Sequence, residues 1–135
     1  MVLHDKVIGK IIKDSADQIF DEKNQFTVYV ERLDSILNSE NVHVGLLKMD
    51  AQGFECNVIE GMGQTLINLM KFEYATNHLH AHGCLDLLPK MSNHFFDIYR
   101  KFEDDIFSGL VIDTSVFACD DGTNECDLFG KSKYN

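Results

Sequence analysis

The sequence predicts a single α/β domain over residues 1–135, with a mostly parallel sheet and helices on its faces. Three observations predict it. Val42 to Asp50 is apolar almost without alternation, the composition of a strand covered on both faces. Phe54, Val58, Ile59, Met62, Leu66, Leu69 and Met70 then recur at helical spacing. Lys71-Phe72-Glu73-Tyr74-Ala75 opens the next strand, and a right-handed crossover makes two such strands parallel.

The elements follow in chain order. Val7 to Ile12 is short and β-branched, a strand whose partner the sequence does not name. Asp14 to Gln25 is polar and reads as loop. Phe26 to Glu31 alternates, with Phe26, Val28 and Val30 on one face of a half-buried strand. Leu33 to Leu37 spaces its apolar residues three and four apart, a short helix stopping near Asn38-Ser39. After the central strand, Ala51-Gln52-Gly53 turns the chain into an amphipathic helix of about four turns, weakened by Gly61 and Gly63. Glu55 falls in its first turn, where negative charge suits the helix dipole. Leu85 to Met91 suggests a short helix around Pro89, and Phe95 to Arg100 fits helix and strand equally. Leu110 to Asp113 and Ser115 to Cys119 read as strands, and Asp120 to Asn124 as a turn.

Charge narrows the partners. The chain carries 22 acidic against 12 basic residues, a net of −10. Nucleic-acid binders concentrate Lys and Arg against phosphates, and anionic membranes repel an acidic surface, so neither partner is expected. No run approaches the roughly 18–20 apolar residues that span a bilayer, and residues 1–13 lack a signal-peptide pattern. Cys56, Cys84, Cys119 and Cys126 show no CxxC spacing, so reduced thiols in the cytoplasm are expected. Cys119 and Cys126 would close a small loop only in a secreted chain.

Ligands of open α/β sheets bind at the carboxyl ends of strands. Lys48, Asp50, Gln52 and Glu55 gather at one such end, and Glu73 lies two residues into the next strand. Asp also caps helices and shapes turns, so Asp50 has a bland alternative. His78, His80, His82 and Cys84 recur at every second position. An extended backbone would align them as a zinc set, whereas a loop would scatter them as surface or substrate-loop residues. No metal is expected.

Leu33-Asp34-Ser35-Ile36-Leu37, then Leu46 to Glu55 (LLKMDAQGFE), Val58-Ile59-Glu60-Gly61 and Phe72-Glu73-Tyr74 together resemble the FkbM family of methyltransferases. The order and gaps match as well as the letters, from about Thr27 to Tyr74. The ten residues Leu46 to Glu55 are the specific part. The resemblance implies a partial Rossmann-like methyltransferase sheet, S-adenosylmethionine as methyl donor and a hydroxyl acceptor on a small molecule or glycan. In that frame Asp50 and Glu55 are the catalytic candidates, Asp50 and Gln52 touch the cofactor, and Lys48, Glu73, His78 and His80 touch the acceptor. Two departures matter. A common family carboxylate is Gln52 here, an amide that cannot act as a base. The family's glycine-rich turn and acidic ribose-binding strand have no counterpart before Lys13, so the amino-terminal strands read as missing. The alternative to an enzyme is a truncated or degenerate methyltransferase serving as a non-catalytic interaction module.

Overall fold

The computed structural model describes residues 7–12, 25–38 and 43–134. Its elements are β1 (Val7–Ile12), β2 (Gln25–Val30), α1 (Leu33–Asn38), β3 (Val44–Met49), α2 (Glu55–Met62), β4 (Ile67–Ala75), α3 (Thr76–Ala81), α4 (Leu87–Asn93), β5 (Phe96–Glu103), β6 (Ile106–Leu110) and β7 (Glu125–Ser132). The first strand finds its partner in β2, antiparallel, with Val7 opposite Val30. The loop expected over Asp14 to Gln25 lies outside the described residues except at Gln25, which opens β2.

The main sheet has five strands in the order β3-β4-β7-β5-β6. The α/β class stands, but the mostly parallel arrangement does not. Among the described strands only β3 and β4 run parallel, with Met49 opposite Phe72. β7 inserts between β4 and β5, antiparallel to both. β5 and β6 form a hairpin through Asp104 and Asp105. Both residues hold positive φ, the backbone that matches strand twist in a tight hairpin.

Alternation decides which face is covered. Met70, Phe72 and Tyr74 of β4, Leu128 of β7 and Phe96 and Ile98 of β5 are buried. They join one core with Met62 of α2, Leu79 of α3 and Leu87, Leu88 and Met91 of α4. Each such side chain contributes about 1.5–3 kcal/mol through burial. The intervening residues Leu69, Lys71 and Glu73 are only half-buried. The helices therefore cover one face of the sheet, not both.

That one-sided cover corrects the reading of the central strand. β3 stands at an edge of the sheet among the described residues, and Leu46 is 63% exposed. Its unbroken apolar sequence does not mean two covered faces here.

The expected long helix after the turn is half as long. α2 stops at Met62, and Gly63 at φ 53° accepts the break. Asp34 sits against Gly63 so closely that no side chain fits there. Leu66, Leu69 and Met70 keep helical spacing, but Leu69 and Met70 pair with Leu46 and Leu47 as strand. Among the later elements, Phe95 to Arg100 resolves into strand β5. The strands expected over Leu110 to Asp113 and Ser115 to Cys119 reduce to Leu110, the last residue of β6. β7 was not anticipated, although Cys126, Leu128 and Gly130 alternate as a strand should.

The cysteines also depart from expectation. Cys56 pairs with Cys84 and Cys119 with Cys126, leaving no free thiol. Spacing pointed to Cys119 and Cys126 only as the pair of a secreted chain and gave no sign of Cys56 with Cys84, whose sulfurs are brought together by tertiary approach and not by sequence separation.

Candidate active site

The turn between β3 and α2 builds the site. Met49 is buried and fixes the strand end, leaving Asp50 exposed just beyond it. Gln52 and Gly53 both hold positive φ, 52° and 101°. This left-handed pair reverses the chain within two residues. A Cβ on Gly53 would lie 2.5 Å from the His78 carbonyl oxygen and 2.5 Å from the His82 ring. Glycine is required there by both backbone and space.

Glu55 holds the turn from within. Its two carboxylate oxygens accept from the Ala51 and Gly53 backbone N–H groups, each at 2.9 Å. The residue is 2% exposed. A buried carboxylate with both oxygens engaged by backbone donors is a brace, so the structure does not present Glu55 as a base.

Asp50 and Glu73 come together at the carboxyl ends of the two parallel strands. Burial raises the Glu73 carboxyl above the ordinary glutamate range, and the adjacent Asp50 charge and a hydrogen bond to Asp50 raise it further. Glu125 and Asp127 of β7 add smaller contributions of the same sign. The Gln52 amide donates to Asp50 Oδ1 at 2.7 Å. Gln52 thus orients Asp50 from the side opposite to its strand.

The remaining expected residues differ in their surroundings. Lys48 is exposed on β3, opposite Lys71 in register. His78 presses its backbone on Gly53, and its Nδ1 is buried without a hydrogen-bond partner among the described residues. His80 is exposed on α3. Helix α3 replaces the extended backbone that would have aligned the histidines, and Cys84 is consumed by Cys56. No group of three or more metal-ligating side chains occurs among the described residues.

Sequence reasoning missed two contributors. Asp127 lies opposite Glu73 in the β4–β7 register, so its charge reaches the pair from a distant part of the chain. The Phe54 and His82 rings meet with centroids 4.1 Å apart, closing the α3 end over the turn. The alternation of β7 was the available signal for the first; for the second, His82 stood out in the sequence among the alternating histidines, but nothing there pointed to its contact with Phe54.

The model of the methyltransferase FkbM domain matches residues 6–104. The chain belongs to the FkbM methyltransferase family. No curated protein and no solved structure matches it. The match spans β1 through β5, and so includes the Asp50 turn and Glu73. Among the described residues of this FkbM chain, no helix is long and apolar enough to cross a membrane.

S-adenosylmethionine is the donor that FkbM membership implies. The described residues fit only part of it. Carboxylates suit a positive sulfonium, but no glycine-rich strand–turn–helix offers backbone N–H groups to the amino-acid carboxylate of the cofactor.

Proposed function

We propose that this chain acts on the acceptor side of S-adenosylmethionine-dependent O-methylation, with a hydroxyl of a small molecule or glycan as acceptor. The observation that carries the reading is the Asp50–Glu73 carboxyl pair at the ends of the parallel strands. An acceptor hydroxyl must be aligned and must lose its proton. Asp50, oriented by Gln52, accepts the hydroxyl hydrogen bond and is the candidate base. Burial and the adjacent Asp50 charge raise the proton affinity of Glu73, which makes the pair a better acceptor than a lone exposed carboxylate. Glu55 serves by bracing the turn and not by proton transfer. Lys48, His78 and His80 are assigned to the acceptor wall.

The two disulfides bear on where this happens. Disulfides persist in oxidising compartments and are rare in the cytoplasm, so they favour the former over the cytoplasmic placement expected from spacing. A glycan hydroxyl suits that setting. The competing reading, a non-catalytic interaction module, draws support from the edge position of β3 with Leu46 exposed.

The test is methyl transfer from S-adenosylmethionine, supplied at millimolar concentration, to a panel of mono- and oligosaccharides and small alcohols. Product methylation that vanishes in Asp50→Asn supports the enzyme. No transfer to any member of the panel favours the interaction module.

A further inference from the structure

We infer that Cys56 and Cys84 are positioning residues, whose bridge clamps the segment from His78 to Gly83 onto the Asp50–Gly53 turn. The two cysteines are 28 residues apart in sequence and both buried, at 7% and 1% exposure. Cys56 is the second residue of α2, directly after the brace Glu55. Cys84 follows α3 by three residues. The bridge therefore joins the two segments that form the site.

Contacts on both sides of the bridge point the same way. The Cys56 backbone N–H donates to Cys84 Sγ at 3.1 Å. The Cys84 backbone N–H donates to the Leu79 carbonyl at 2.7 Å, which closes the end of α3. The His82 ring rests on Phe54, and both it and the His78 carbonyl fill the space beside Gly53. Helix α3 has six residues, and such a short helix is marginal without external support. It makes few contacts with the sheet beyond Leu79, which is buried in the core. The tether supplies what the helix lacks. The wall over the turn is thus assembled in the oxidised chain and released in the reduced one. Its meaning as the acceptor wall rests on the proposed function, but the clamp itself is read without turnover.

Hydrogen exchange resolved by residue tests it. In the Cys56→Ser/Cys84→Ser chain, amides at 51–54 and 78–84 are expected to exchange faster by on the order of tenfold or more, with β4, β5 and β7 unchanged. The Cys119→Ser/Cys126→Ser chain, which breaks the other bridge, is expected to leave 51–54 and 78–84 as they were. Unchanged exchange in the first variant overturns the clamp. A uniform rise across the sheet also overturns it, since the bridge would then be a general staple. If the first variant does not fold, the unaltered chain decides. With the bridge intact, the Cys84 amide should exchange only through global opening, with the same denaturant dependence as β4. Exchange of Cys84 by local opening would overturn the inference.

Discussion

Glu73 and Asp50 lie side by side at the carboxyl ends of the two parallel strands, and the Glu73 carboxyl is held above the ordinary glutamate range. Burial is the main cause, and the Asp50 charge adds to it. The relationship links a folding consequence to a catalytic one. A raised folded value means that Glu73 contributes stability fully present below the ordinary glutamate range. That contribution is lost as pH rises through the raised value.

For catalysis, methyl transfer should rise with pH through the raised Glu73 value, because Glu73 must lose its proton before the pair can accept one from the hydroxyl. Replacing Asp50 by Asn should lower turnover by about 10²-fold, the usual scale for a positioned acid–base group. In the same variant the remaining Glu73 titration should move toward lower pH, though burial still holds it up. Gln52→Ala should cost much less. Turnover against pH for the three chains, with melting as a folding control, makes the comparison. Equal small losses in Asp50→Asn and Gln52→Ala would remove Asp50 from the chemistry.

Glu55 should behave in the opposite way. Glu55→Ala leaves the buried Gly53 N–H without its acceptor, at a cost of about 1–3 kcal/mol. Thermal melting and turnover should fall together. A variant that melts normally but is inactive would return Glu55 to the list of candidate bases.

Gly53→Ala should be among the most disruptive single substitutions in the turn. The backbone φ of 101° strains any L-residue by about 1–3 kcal/mol, and the His78 carbonyl leaves no space for a methyl group. A melting temperature within experimental error of the unaltered protein would refute the packing described for the turn.

Arg32 and Asp34 give an acid-side prediction. The Arg32 guanidinium donates to both Asp34 oxygens, at 3.0 and 2.8 Å, and also to the Glu60 carbonyl at 2.9 Å. The hydrogen bond to Arg32 holds the Asp34 carboxyl below its ordinary range. The sign is that of a depressed acid: the contribution is present above the ordinary aspartate range and lost as pH falls through the lowered value. Arg32→Ala should remove about 1 kcal/mol at neutral pH and flatten stability on the acid side. Denaturant melts from pH 2 to 7, roughly the range over which such a carboxylate titrates, would show it.

Cofactor affinity is the fifth test. With no glycine-rich turn among the described residues, calorimetric titration of S-adenosylmethionine should give binding weaker than about 1 μM, the affinity that corresponds to about −8 kcal/mol. Micromolar binding would mean that other residues cradle the cofactor.

The sequence by itself determined the family, the turn and its carboxylates. Leu46 to Glu55 carries a local pattern in which an apolar strand, a glycine and a helix must follow one another, and each step is governed by neighbours within a few residues. Asp50 was placed at a strand end because the turn after β3 is local, whereas Glu73, read as two residues into its strand, reaches the carboxyl end only because β4 begins at Ile67. Tertiary structure decided what depends on distant partners. The direction of β7, and with it the charge of Asp127 beside Glu73, follows from pairing between residues fifty or more positions apart. Exposure of Leu46 depends on which strands and helices cover β3, which its own composition does not encode. Glu55 became a brace because the left-handed turn aimed two N–H groups at its oxygens. The pairing of Cys56 with Cys84 likewise required α2 and the end of α3 to pack side by side. Periodicity is a local property; the Glu55 brace depends on backbone conformation that periodicity does not encode, and the other three outcomes are set by packing between segments that the chain brings together only when it folds.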